Sequence, residues 1–308
     1  MTVHIPYGKH TFACELSDAA VLTSHVDQLR SPQSGLEIVR RAMAAPIDSL
    51  HLEELARGKR TCTVIVSDHT RPVPSRDILP PMLEELRRGN PEIDIIDEDK
   101  NTVAAFAGEM EQAHEAGCDF LSRYCEVRAA PADIVITSNG GAPLDQNIYQ
   151  CVKGLTAAEA SAKEGAVLIM CAGLADGHGG EGFYRSLCDC ESPDALYQSI
   201  MATPQNETIP DQWESQILAR ILMKHRVIFV SPHEREALLR EMKLDWAPDL
   251  DTAIAMAREE KGADALVTVI PNGVSVIVKK GYDIIKQNID SILQADRQPE
   301  REKGTERG

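Results

Sequence analysis

The chain has 308 residues, 43% of them hydrophobic and 26% charged, with a formal charge of −16 at pH 7. That length sets a prior of two domains with ordinary apolar cores. So acidic a chain lacks the basic patches that nucleic acid and anionic membranes attract, which leaves small-molecule ligands as the expected partners. Met1-Thr2-Val3-His4-Ile5-Pro6-Tyr7 has neither the basic start nor the apolar core of a signal peptide. No apolar run approaches the roughly 20 residues of a membrane helix. A cytoplasmic location is therefore expected, and with it eight reduced cysteines. Cys188-Asp189-Cys190 with His178 offers three donors at an unusual spacing, short of the four a zinc site wants.

In chain order, residues 2–6 and 10–16 alternate weakly and predict a hairpin. Residues 37–44 and 50–56 read as short amphipathic helices. Thr61-Cys62-Thr63-Val64-Ile65-Val66 reads as a buried strand. It runs into Ser67-Asp68-His69-Thr70-Arg71-Pro72-Val73-Pro74, which sets a carboxylate, a hydroxyl and a guanidinium at a strand's carboxyl end, where α/β sheets bind ligands. The prolines stiffen the loop, and an Arg held there suits a carboxylate or phosphate. On the octet alone, an Asp and Arg that merely cap and pair at a strand end fit equally well. Ile78, Leu79, Met82, Leu83 and Leu86 then share one helical face, with Pro80 and Pro81 suggesting a late start or a kink.

Beyond residue 100 the pattern becomes regular. Helices over 109–123, 147–163, 211–224 and 251–260 alternate with strands over 133–137, 166–171 and 226–230. Strands over 265–270 and 274–278 are expected to pair across Pro271-Asn272-Gly273. This alternation predicts an α/β fold with a doubly wound, mostly parallel sheet. The expected layout is an incomplete N-terminal α/β domain over 1–95, a connecting helical segment over 96–130, a complete C-terminal α/β domain over 131–285, and a charged tail over 286–308 expected to be disordered. Before residue 95 there is one convincing buried strand for several amphipathic helices, too little sheet to cover their apolar faces.

The octet resembles the nickel-dependent lactate racemase family. So do Gly140-Gly141-Ala142-Pro143-Leu144-Asp145-Gln146-Asn147-Ile148-Tyr149-Gln150-Cys151-Val152-Lys153-Gly154, the loop Gly177-His178-Gly179-Gly180-Glu181, and Ile209-Pro210-Asp211-Gln212-Trp213-Glu214-Ser215-Gln216. The resemblance implies racemisation or epimerisation of a small 2-hydroxy acid, with hydride passing to a nickel pincer nucleotide and two His moving the hydroxyl proton. It also implies that Asp68, Thr70 and Arg71 serve the cofactor or substrate from the N-terminal domain. Tyr149, Gln150, Lys153 and Trp213 would come from the second domain, with Trp213 shielding the site. Read without the family, Lys153 is a solvated side chain, Tyr149 half-buried and Trp213 core.

One departure qualifies the match. The family carries a central stretch with an Ala-Thr-Gly-x-His motif, a second catalytic His, the Lys that tethers the cofactor and a nickel-ligating His. Here Leu86-Arg87-Arg88-Gly89-Asn90-Pro91-Glu92-Ile93-Asp94-Ile95-Ile96 runs straight across that gap. The chain reads as an internally deleted member, inactive as written, with no retained catalytic or metal-binding residue. A non-catalytic α/β binding or assembly module, or the product of a disrupted gene, is the alternative. His69 and His178 read as loop residues. Gly140-Gly141 and Gly179-Gly180 fit no phosphate loop.

Overall fold

The structure, a computed structural model, describes residues 1–16, 19–59, 62, 64, 73–89 and 104–280. Apart from Cys62 and Val64, the strand expected over 61–66 lies outside these, as do most of the octet and the tail expected over 286–308. The elements in chain order are β1 (Thr2–Tyr7), β2 (His10–Glu15), β3 (Ala19–Val21), α1 (Gly35–Ala44), α2 (Leu52–Ala56), α3 (Ser75–Gly89), α4 (Met110–Cys125), β4 (Glu126–Arg128), β5 (Ala132–Ser138) and α5 (Ile148–Ser161). They continue as β6 (Ala162–Cys171), α6 (Glu181–Cys188), α7 (Pro193–Ala202), α8 (Gln212–Leu222), β7 (Arg226–Val230), α9 (Glu236–Glu241), β8 (Asp245–Ala247), α10 (Leu250–Lys261), β9 (Val267–Ile270) and β10 (Ile277–Lys279). Among the described residues no helix is long and apolar enough to cross a membrane.

The chain divides into two units. Met1–Thr23 group with Glu126–Gly308, and Ser24–Cys125 form the other. The first two strands pack their apolar side chains on the large sheet, so they belong with the C-terminal elements.

That sheet has six strands in the order β3-β9-β5-β6-β7-β8, and every neighbouring pair is parallel. The fold is α/β, as the alternation predicts. Successive strand residues turn to opposite faces, and both faces are covered, which is why the strands read as continuous apolar runs. One face sets Val135, Leu168, Met170, Val227 and Phe229 against Cys151, Val152, Leu155, Phe183, Leu187 and Leu218 of α5, α6 and α8. The other sets Ile134, Ile136, Val167, Ile169, Ile228 and Val269 against α10 and against Val3, Ile5 and Cys14 of the β1–β2 hairpin. Each such fully buried aliphatic side chain contributes about 1.5–3 kcal/mol.

Two local expectations are corrected. The strands near the C-terminus form no hairpin, because both edges of β9 are taken by β3 and β5, while β10 pairs in parallel with β4. The helix α3 does not start late. It begins at Ser75 and carries Pro80 and Pro81 in its second turn, after the amides of Asp77 and Ile78 have bonded to Pro74 O.

In the smaller unit, α1 starts at a capping box in which Glu37 N donates to Ser34 Oγ and Ser34 N donates back to Glu37 Oε2. α3 packs against both α1 and α2, and Arg40 pairs with Glu84 at 2.9 Å. No strand occurs among the described residues of this unit. Its helices surround an apolar cavity of about 440 Å³ lined by Val39, Met43, Leu55, Ile78, Met82 and Phe106, among others.

Candidate functional site

The candidate residues that the structure describes gather where α5 begins. Asn147 caps this helix: its Oδ1 accepts from Gln150 N at 2.9 Å, and its Nδ2 donates to Asp176 Oδ2 at 3.0 Å. The next amides are also satisfied, Ile148 N donating to Gly177 O and Tyr149 N to His178 O. This helix start therefore serves as a rigid mount for side chains, with its first-turn donors already bonded. Gly179 makes the mount possible. Its φ is +85°, and a Cβ there would lie 2.4 Å from the Asn147 side chain.

A second fastening sits at the carboxyl edge of β5 and β6. Asp145 is 1% exposed. One of its oxygens, Oδ2, accepts from Gly8 N at 2.6 Å and from Gly173 N at 2.8 Å. Gly8 is the turn of the β1–β2 hairpin and Gly173 follows β6, so one carboxylate ties the N-terminus to the edge that carries α5.

From this mount Tyr149 and Lys153, four residues apart, emerge on one helical face. The Tyr149 hydroxyl donates to Asp211 Oδ1 at 2.9 Å. Its ring meets Phe183 edge-on at 5.4 Å and Trp213 edge-on at 6.1 Å. Lys153 Nζ donates to Gln150 Oε1 at 2.6 Å. Lys153 is exposed, and Trp213 is 52% exposed, so Trp213 stands outside the core. The structure thus brings Tyr149, Gln150, Lys153 and Trp213 together. Asp68, Thr70 and Arg71 lie outside the described residues.

The start of α8 is not a capping box between Thr208 and Asp211. Asp211 itself occupies the N-cap position, in a left-handed conformation at φ 62°, and its side chain caps nothing. Thr208 Oγ1 donates instead to Gln205 O. The Asp211 carboxylate is therefore available to Tyr149. Further along α8, Gln216 donates to Met201 Sδ, and Arg220 binds Glu159 at 2.6 Å. His178 is held in its loop, its Nδ1 accepting from Gly180 N and its ring stacked on Tyr184 at 4.9 Å.

The residue that sequence reasoning missed is Glu214. It is 1% exposed, and neither carboxylate oxygen has a hydrogen-bond partner. Burial, opposed by Lys153 and reinforced by Asp211, pushes its carboxyl up to about 7. The signal was present: Glu214 holds the first place in the buried stripe that Leu218 and Ile221 continue at helical spacing.

Comparison with known proteins gives the geometry its context. Residues 7–97 match the family described as Lactate racemase N-terminal domain, and residues 127–278 match Lactate racemase C-terminal domain. The lactate racemase of Thermoanaerobacterium thermosaccharolyticum is 32% identical over 422 residues, covering 90% of this chain and 99% of the relative. That of Lactiplantibacillus plantarum is 32% identical over 423 residues, covering 91% and 100%. The solved lactate racemase apoprotein from T. thermosaccharolyticum superposes with a TM-score of 0.81 at 31% identity, covering 91% of this chain and 100% of that one. By sequence and by fold, this chain belongs to the lactate racemase family.

Proposed function

We propose that the chain carries half of a 2-hydroxy-acid racemase site and is inactive as written. The observation that carries this reading is a length. The match to the T. thermosaccharolyticum enzyme runs over 422 positions and this chain has 308 residues, so at least 114 of those positions (422 less 308) face nothing here. The smaller unit supports the same reading, since its helices leave an apolar cavity.

The chemistry implied for the family is hydride transfer between a small 2-hydroxy acid and a nickel pincer nucleotide, which supplies the hydride acceptor. It calls for a tethering Lys, a nickel-ligating His and two proton-transfer His, and the motifs bearing them are missing between Leu86 and Lys100. Among the described residues no three His, Cys, Asp or Glu side chains stand together as metal ligands. Among the described residues the donor set does not fit that cofactor.

The roles left to this chain concern binding. Lys153, steadied by Gln150, presents a cation for the ligand carboxylate, and the family resemblance implies a cofactor or substrate role for Asp68, Thr70 and Arg71. Tyr149 and Trp213 form an aromatic wall that limits water. The ligand class is a small 2-hydroxy acid, with no nucleic acid or membrane partner, in the cytoplasm.

The intact mass of the protein isolated from its source tests the deletion. The expected value is 33.8 kDa. A mass larger by a hundred residues or more (about 11 kDa, scaling from 33.8 kDa for 308 residues) would restore the active-enzyme reading.

A further inference from the structure

The apolar cavity of the smaller unit is walled by α1, α2 and α3, with residues 104–108 closing a further side. Both α1 and α2 pack against α3. The segment over 104–108 is tied to the chain that follows α1: Ile47 N donates to Ala107 O and Glu109 N donates to Ile47 O, both at 2.6 Å. Gly108 allows that approach, because a Cβ there would run into the Ile47 backbone. Small-molecule sites are usually preformed in this way.

The volume, about 440 Å³, lies within the range of small-molecule pockets. Aliphatic side chains, Phe106 and the adaptable thioethers of Met43 and Met82 supply nearly all of the lining. Only Ser49 and Glu85 bring polar side chains to it. The Ser49 hydroxyl donates to Leu50 O at 3.1 Å. Glu85 Oε1 stands 3.6 Å from Arg88 Nη2, too far for a hydrogen bond, and Oε2 has no hydrogen-bond partner. A carboxylate accepts about four hydrogen bonds, so this one has capacity left. The terminal torsion of a Glu is soft, and a turn about it presents an oxygen to the cavity.

We propose that this cavity is a binding site for a small amine with an apolar body: the walls take the hydrocarbon, and the Glu85 carboxylate takes the ammonium. Charge selects the head group. An acid would meet like charge at Glu85, and a neutral ligand would forgo the stronger, charge-assisted bond. The site shares no residue with Tyr149, Gln150, Lys153 and Trp213, so it is independent of the 2-hydroxy-acid reading.

The test is an NMR titration of the full chain, labelled with methyl-¹³C methionine, against hexylamine, 1-hexanol and hexanoate. Of the nine methionines, Met43 and Met82 line the cavity, and their signals are those lost in Met43→Leu and Met82→Leu. Hexylamine is expected to shift these two signals and to bind about tenfold more tightly than 1-hexanol, the lower end for a hydrogen bond to a charged group. Hexanoate is expected to bind least. In Glu85→Gln the amine should fall to the affinity of the alcohol, which itself should hold. Unmoved Met43 and Met82 signals, or shifts spread evenly over all the methionines, overturn the site. Equal binding of amine and alcohol to the wild-type protein overturns the role of Glu85, whether or not Glu85→Gln folds.

Discussion

Asp145→Ala is expected to destabilise the larger unit by about 3 kcal/mol. The side chain is 1% exposed, and a single oxygen receives two backbone amides, from Gly8 and Gly173. Hydrogen bonds to a charged acceptor contribute roughly 1.5–3 kcal/mol each, and their loss leaves two donors unpaired. Part of that loss is offset because a buried charge is also removed. The backbone bonds of Asp145, from Leu174 N and to Gly141 O, are unaffected. In Asp145→Asn the amide oxygen can still accept both bonds, so less than half the effect is expected. Urea unfolding followed by tryptophan fluorescence reads the difference, since Trp213 and Trp246 both lie in this unit. A loss below about 1 kcal/mol in Asp145→Ala at unchanged m would show that the hairpin is held by its apolar contacts alone.

The second large effect is a dependence on pH. Burial raises the Glu214 carboxyl from 4.5 to about 7 in the folded chain. A folded value above the unfolded one means that the folded state binds the proton more tightly. The stability from this group is therefore complete below pH 4.5 and is lost as pH rises through 7. A shift of that size corresponds to about 3 kcal/mol at roughly 1.4 kcal/mol per unit. Glu214→Gln removes the ionisation, so its stability relative to wild type should improve by that order between pH 4 and pH 8. Urea unfolding across that range checks it. Parallel profiles for the two proteins would mean that the carboxyl is relieved by water or by motion of α8.

Much of the fold was legible because the parallel strands are buried on both faces. Residues 226–230 and 166–171 read as strands from uninterrupted apolar runs, and β7 and β6 occupy those places. Tyr149 and Lys153 could be set on one face from their spacing alone. The short strands β3 and β8 were missed, since three residues carry no period. The attachment of the hairpin was also hidden. It depends on Asp145 meeting Gly8 across 137 positions of sequence, and no local pattern encodes such a meeting. Glu214 escaped for a related reason. A lone acid near a helix start ordinarily reads as a first-turn residue favoured by the dipole. Its burial appears only once α5 lies across it.

The central claim is that the second-domain half of the site remains while the chain lacks the means to racemise. The direct measurement incubates the purified full-length protein with nickel and the pincer nucleotide and follows D- and L-lactate by chiral chromatography. The T. thermosaccharolyticum lactate racemase, treated alike, serves as the positive control. No interconversion above background is predicted for this chain. Turnover that requires the protein would contradict the account.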